Sequence, residues 1–155
     1  MKRPILIITA AILISFNACG QAAKDVPAGI KATFTQKFPA ASKVEWGREN
    51  DQEWEAEFKL DGKECSATFD NAGAWIETES EISVKEIPAA VKTTLDKESA
   101  GYKIGESVIA ENKDGKVYEF LLTKDKKEFE LLIDLNGKMI KIEQLTEVDE
   151  KDEKN

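Results

Sequence analysis

Alternating charged and apolar positions predict β-strands in the middle of the chain. Every second residue from 54 to 60 is apolar and its neighbours are charged, which is the period of two expected of a strand with one buried face. The pair Asp61-Gly62 then favours a tight hairpin turn. The expected strands of this meander are a short one near Trp46 and longer ones over 53–60, 64–69 and 74–79.

A helix is predicted before each group of strands. The first stripe places an apolar residue every four positions, at Val26, Ile30, Phe34 and Phe38. Pro39 ends this helix, because the residue before a proline avoids the α region. A second stripe has the same spacing, at Ile87, Val91 and Leu95. We expect Phe34, Phe58 and Phe69 to lie between the first helix and its sheet.

Short segments of the chain recur, which predicts an internal repeat. Val26-Pro27-Ala28 matches Ile87-Pro88-Ala89, and Asp70-Asn71-Ala72-Gly73 matches Asp134-Leu135-Asn136-Gly137. The strands expected in the second copy run near 107–111, 117–123, 127–133 and 138–144. The predicted fold class is therefore α+β, with two tandem repeats over 26–82 and 83–145. Each repeat would be a helix packed on an antiparallel sheet of about four strands.

Charge and composition exclude several classes of function. The 155 residues include 22 basic and 30 acidic side chains, a net charge of −8, and no His. An acidic chain is a poor nucleic-acid binder, because phosphate contacts need a basic surface. Without His there are no Ser-His or Cys-His pairs, and no Gly-rich phosphate loop or CxxC motif occurs. We therefore expect no enzymatic activity and no cofactor.

The N-terminus has the pattern of an export signal. Lys2 and Arg3 precede a mainly apolar run of twelve residues, Ile5 to Phe16, which is too short to span a bilayer. The following Ala18-Cys19 junction resembles the lipobox of bacterial lipoproteins. The pattern predicts a signal peptide over 1–18, lipid modification of Cys19 and a tether over 19–25. The protein would then be anchored to a membrane of the bacterial envelope, in the periplasm.

Two alternatives to lipid modification remain open. The first is an ordinary secretory signal cleaved near Ala18, with Cys19 incidental. The second is a Cys19–Cys65 disulfide, which an oxidising envelope would permit. Cys65 alternates with Ala67 and Phe69 on the inward side of its strand and is expected to be a buried thiol. At the other end, the charge-rich segment 146–155 is typical of a disordered acidic tail.

The helical signature and the turns together resemble a known family. The segment Val26-Pro27, Ile30, Phe34, Phe38-Pro39, followed by alternating strands with Asp-x-x-Gly turns, resembles the PepSY-like family of small envelope proteins. The fold of that family is likened to the β-lactamase inhibitor protein. The resemblance covers about 26–145 and implies a binding or inhibitory module, acting on a protein or a peptidase. It supplies no catalytic residues.

Glutamates collect on the outward side of the first group of strands. They include Glu53, Glu55, Glu57 and Glu77. Like charges on neighbouring strands repel, so the clustering of these glutamates needs an explanation. Three explanations stay open. The face is simply solvated, it docks a cationic partner, or it holds Ca²⁺ through carboxylate oxygens. The segment from Asp134 resembles the start of an EF-hand loop, but position twelve is Leu145 rather than Glu, so we expect a hairpin turn.

Several apolar residues are also predicted to face outward. They are Trp75, Met139, Val117, Leu121 and Leu132. Such a patch is typical of a protein interface unless another repeat or molecule covers it. Trp75 would be its anchor. The leading hypothesis is a non-enzymatic, membrane-anchored envelope protein that binds a protein or peptide, with a basic partner favoured, through its sheet faces. The alternative is a module that binds or buffers divalent cations.

Overall fold

The computed structural model describes residues 25–145, which contain two α-helices and eight strands. The helical segments are α1 (Ala28–Lys37), a 3₁₀ turn (Val84–Glu86) and α2 (Ala89–Glu98). The strands are β1 (Ser42–Asn50), β2 (Glu53–Leu60), β3 (Lys63–Asp70), β4 (Trp75–Glu81), β5 (Lys103–Asn112), β6 (Gly115–Lys124), β7 (Lys127–Asp134) and β8 (Met139–Gln144). Neither helix in this part of the chain is long and apolar enough to cross a membrane.

Three predictions lie outside the described residues. They are the signal peptide over 1–18, the lipid modification of Cys19 and the acidic tail over 146–155. Of the predicted tether, only Asp25 is described, and it is exposed.

The strands form one antiparallel sheet in the order β1 to β8, which corrects the predicted fold class. The expectation of two tandem helix-on-sheet repeats, each with about four strands, is wrong. Two separate sheets would have four open edges, whereas one sheet has two, and each open edge exposes unpaired backbone N–H and C=O groups. The alternation of polar and apolar residues is the same in both arrangements, so it could not distinguish them.

The described chain divides into two compact units. The first comprises 25–81 together with 110–116, and the second comprises 82–109 and 117–145. The hairpin end between β5 and β6 therefore belongs to the first unit, although it falls within the predicted second repeat.

The core of the first unit lies between α1 and the strands β1 to β3. Phe34 on α1 contacts the ring of Phe58 at 5.0 Å between centroids, and the ring of Trp46 at 5.2 Å. Phe34, Phe58 and Phe69 are all buried, so their predicted place in the core is confirmed. The helix begins after Pro27 and ends at Lys37, ahead of the Phe38-Pro39 pair.

The core of the second unit has the same kind of composition. Val91 and Leu95 on α2 belong to one cluster with Phe120, Leu122 and Leu131 on β6 and β7. These residues alternate along the strands with side chains on the opposite face of the sheet. The second stripe of the sequence therefore forms the helix expected of it, over ten residues.

A similar turn connects β3 to β4 and β7 to β8. The Asp70 carboxylate accepts hydrogen bonds from the N–H groups of Ala72 and Ala74, at 2.9 and 2.8 Å. The Asp134 carboxylate accepts two in the same way, from Asn136 and Lys138, both at 2.9 Å. The segment from Asp134 is thus a hairpin turn, as predicted, with the carboxylate engaged by the backbone.

Candidate functional site

The face of the first unit opposite α1 is lined by carboxylates. Along β2 the buried Trp54, Ala56 and Phe58 point toward α1, so the residues between them point away from it. Cross-strand pairs extend this surface: Glu57 lies opposite Glu45 on β1 and Ser66 on β3, which in turn lies opposite Glu79 on β4. We call this surface the acidic face. Its members on β2 to β4 are Glu53, Glu55, Glu57, Glu64, Ser66, Thr68, Glu77 and Glu79.

Glu55 is near the centre of the acidic face, and its carboxyl has a strongly raised pKa. Burial raises the pKa of Glu55 to about 7, and the charges of Glu49 and Glu57 act in the same direction. A hydrogen bond from Ser66 lowers the pKa but does not cancel these effects. Glu49 is hydrogen-bonded to Glu55, and burial followed by the charge of Glu53 also raises the pKa of Glu49. The two carboxyls can therefore share a proton near neutral pH.

Glu77 is the most deeply buried carboxyl of this face. It is 6% exposed, and burial is the main cause of its raised pKa, with a smaller contribution from the charge of Glu53. The Asn112 side-chain amide, from the hairpin end that belongs to this unit, donates a hydrogen bond to Glu77 at 3.3 Å. This bond stabilises the charged form and partly offsets the cost of burial.

Cations within the acidic face are few. Lys59 forms an ion pair with Glu64, and it is the lysine that alternates with the glutamates along β2. Glu53, Glu55 and Glu57 are same-strand neighbours of one another, and Glu57 also lies opposite Glu45 on β1, so acidic side chains outnumber basic ones on this surface. Such a surface attracts cationic groups.

The alternative of a bound divalent cation finds no support in the geometry. Residues 25–145 contain no group of three or more acidic or Cys side chains placed to hold a metal ion together. Glu53, Glu55 and Glu57 share a face of one strand, where alternate residues are nearly 7 Å apart. That spacing explains why these residues and Glu77 do not converge on one point.

The prediction that Trp75 points outward is wrong. Along most of β4 the pairing is regular, with Glu77 opposite Thr68, but Trp75 lies opposite Phe69. The strand therefore has one extra residue, a β-bulge at Ile76, which turns Trp75 onto the side of α1. There its ring is half-buried against the core, with the Lys37 ammonium 3.6 Å from the ring centroid. Its indole N–H donates to the Thr78 hydroxyl at 2.8 Å.

The other predicted interface residues do not form one patch. Met139 lies opposite Ile133 after a matching register shift, so it is on the core side of its sheet and 38% exposed. Leu121 and Leu132 share the opposite face, since they pair with Glu130 and Glu119. Leu132 is fully buried and Leu121 half-buried. A binding role for these residues stays a prediction, and Leu132 could contact a partner only after rearrangement.

Sequence reasoning missed two buried carboxylates in the second unit. Glu119 and Glu130 are 3% and 6% exposed and lie beside Leu132 and Leu121 on the face opposite α2. Lys141 on β8 lies 3.9 Å from Glu130. Their alternation with Tyr118, Phe120 and Leu131 is the usual signal of a solvated strand face, so the sequence offered no sign of burial. The predicted burial of Cys65 is confirmed: it is a buried free thiol whose sulfur lies 3.4 Å from the Ser80 hydroxyl.

Comparison with solved structures identifies the class of fold. A BLIP-like protein from Bacteroides fragilis aligns with a TM-score of 0.70 at 22% identity, over 80% of this chain and 89% of that one. A DUF2874 family protein from Bacteroides uniformis aligns with a TM-score of 0.71 at 18% identity, over 79% and 91%. A Bacteroides eggerthii protein described as "putative periplasmic" has a TM-score of 0.70 at 15% identity, over 78% and 90%. The chain therefore has a BLIP-like fold.

Comparison with family profiles places the chain more narrowly. Residues 52–141 match the PepSY-like profile, whose description is "Putative beta-lactamase-inhibitor-like, PepSY-like". The chain belongs to this family, which confirms the resemblance seen in the sequence. No curated protein matches the chain at a significant level.

Proposed function

We propose that the protein is a non-enzymatic envelope protein that binds a basic segment of another protein on its acidic face. One observation carries this proposal: α1, which is the only α-helix of the described first unit, packs on one face of its strands, and the other face bears clustered, partly desolvated glutamates. Charge of one sign on an uncovered sheet face costs stability. A cationic partner would offset that cost on binding.

Charge complementarity selects the chemistry of the partner. Lys and Arg side chains would pair with Glu55, Glu57 and Glu79, and the raised pKa of Glu55 would fall on binding because a nearby cation favours the carboxylate. The remaining glutamates would mainly raise the association rate, an effect that salt screens. Nucleic acid is repelled by the same surface.

The family supports a protein as the partner. Its description is β-lactamase-inhibitor-like, and the Bacteroides fragilis neighbour is described as BLIP-like. Inhibition of a peptidase is one form that this binding would take. A purely cation-buffering role has less support, because the glutamates do not converge on a metal position.

The place of action proposed is the periplasm. The charged and apolar N-terminal segment favours export, and the Bacteroides eggerthii neighbour is described as periplasmic. Lipid modification of Cys19 would hold the protein on a membrane of the envelope, since acyl chains add about 0.8 kcal/mol of membrane affinity per buried CH₂.

A charge reversal on the acidic face tests the proposal. The probe is a lysine-rich, extended peptide, titrated calorimetrically against the wild type, Glu57→Lys and Asp96→Lys. Glu57 is exposed on the acidic face, whereas Asp96 is exposed on α2 of the second unit. The two variants change the net charge equally.

Glu57→Lys should weaken binding about tenfold, with a smaller dependence on salt, and Asp96→Lys should leave binding close to that of the wild type. Equal weakening by both variants would mean that net charge alone attracts the peptide. The acidic face would then not be a specific site.

A further inference from the structure

One edge of the sheet is open and apolar. Within residues 25–145, β8 pairs with β7 and with no other strand. Its Met139, Ile140 and Ile142 side chains are 38%, 40% and 38% exposed. Three half-exposed apolar residues on one edge strand make it a template for pairing with another chain. This edge is distinct from the acidic face, which belongs to the first unit.

The opposite edge, β1, is also open within residues 25–145, but it is irregular and mostly polar. β1 has a residue of positive φ at Lys43 and register shifts on both sides of the run from Glu45 to Arg48. Bulges and charged side chains are the usual devices that prevent strand pairing at an edge. In β8 the one register shift lies at its start, near Met139, and residues 141–144 pair regularly with β7.

The hydrogen-bond pattern shows which backbone groups of β8 point outward. Leu145 N–H donates to the Glu128 carbonyl of β7 at 2.9 Å. In an antiparallel ladder the hydrogen-bonded pairs alternate, so Glu143 and Lys141 also direct their backbone groups to β7. The N–H and C=O of Ile142 and Gln144 therefore point to the open edge. These are the groups that a further antiparallel strand would engage.

We infer that β8 pairs antiparallel with β8 of a second copy of this chain, around a twofold axis at Ile142. In that register Ile142 lies opposite its own counterpart, and the backbone groups of both are directed at each other. Lys141 of each copy then lies opposite Glu143 of the other. The strand is thus complementary in charge to itself, as a twofold interface requires, and Ile142 becomes buried.

Other occupants fit the edge less well. An unrelated extended peptide could use the same backbone groups, but nothing in the edge would select its side chains. Lys141 and Glu143 form an ion pair within β8, and a strand that carries a Glu two residues after a Lys would place opposite charges beside both of them in this register. β8 itself has that spacing.

Cross-linking of the full chain in cells tests the inference directly. Directly opposed residues of a hydrogen-bonded pair have Cα atoms about 5.5 Å apart, within the range of a disulfide. Ile142→Cys should therefore form a dimer under mild oxidation, seen on a non-reducing gel. Ile104→Cys is the control, since Ile104 on β5 is equally exposed at 39%. Both variants keep Cys19 and Cys65, so a difference between them reports the position alone.

Sedimentation of the purified chain gives a second measurement. The wild type should dimerise with rising concentration, and Ile142→Asp should weaken the dimer by at least about tenfold. Val84→Asp is the control, because Val84 is 64% exposed and lies in the 3₁₀ turn, outside the strands. The inference is overturned if the wild type stays monomeric throughout and Ile142→Cys cross-links no better than Ile104→Cys. It is also overturned if β8 captures an extended peptide in place of its own copy.

Discussion

At the scale of single residues, Glu55 combines a structural cost with a place in the proposed binding surface. Its strand alternation fixes it on the acidic face, its neighbours Glu49 and Glu57 repel it, and burial raises its pKa to about 7. A group of this kind is half-protonated near neutral pH. Its charge state therefore affects the stability of the first unit, and under the proposed function it would also affect the affinity for a cationic partner.

The stability of the protein should fall as pH rises through the titration of Glu55. The folded state holds this proton up to about pH 7, whereas the unfolded chain releases it near pH 4.5. The folded state thus binds more protons in this window, so a rise in pH favours unfolding. The stabilities of the wild type and Glu55→Gln, measured by urea denaturation, should diverge between about pH 5 and pH 8. The wild type should lose more over this range, and parallel curves would show that Glu55 titrates normally.

At the same scale, Phe58 tests the assignment of the core. Its side chain is 2% exposed and touches both Phe34 and Phe38. Phe58→Ala should lower the free energy of unfolding by about 3–5 kcal/mol, because it removes apolar contact and leaves a cavity. Val84→Ala, at an exposed position, should change it by no more than about 0.5 kcal/mol. A Phe58→Ala variant that unfolds like the wild type would contradict the described face of β2.

At the scale of elements, the β7–β8 turn depends on a glycine with two constraints. Gly137 has φ +82°, and a Cβ there would lie 2.5 Å from the Ala90 carbonyl oxygen. Gly62 has nearly the same φ, +83°, but open space around it. Gly62→Ala should cost about 1 kcal/mol from backbone strain alone, and Gly137→Ala clearly more. Chemical denaturation measures the free energy of unfolding of both variants. Equal decreases would mean that α2 shifts at little cost to make room for the added methyl group.

The helices and strands were largely predictable, because the spacing of apolar residues indicates both the type of element and which of its faces is buried. The stripes that start at Val26 and Ile87 form helices, and the alternation along β2 places Phe58 in the core. The orientation of Trp75 was not predictable, since a single extra residue in β4 inverts the alternation. The burial of Glu119 was not predictable either, because a charged residue between apolar ones gives the same sequence pattern on a solvated face and on a buried face.

At the scale of the whole molecule, the pairing of all eight strands into one sheet could not be predicted. Matching segments suggested two sheets, yet pairing along an edge depends on backbone groups that every residue carries. The acidic face was found only in part. Glu53, Glu55, Glu57 and Glu77 were expected together, but the contribution of Asn112 required the structure, since it follows Glu77 by 35 residues.

The proposed membrane attachment concerns the whole chain and would rest on Cys19. Cys19→Ala should move the protein from the membrane fraction to the soluble fraction, because the acyl chains would be lost. Incorporation of a labelled fatty acid by the wild type, but not by this variant, is the matching measurement. If the variant stays with the membrane and the wild type takes up no label, the anchor lies elsewhere.

The central claim is that a basic partner docks on the acidic face, and chemical-shift mapping tests it most directly. The lysine-rich peptide would be titrated into ¹⁵N-labelled protein, with every backbone amide and the Trp75 indole N–H followed separately. We predict the largest shifts at Glu57, Ser66 and Thr68, and little change at exposed positions of α1 such as Thr35. Shifts concentrated on α1 and the Trp75 indole, with the β2 and β3 amides unmoved, would contradict the account.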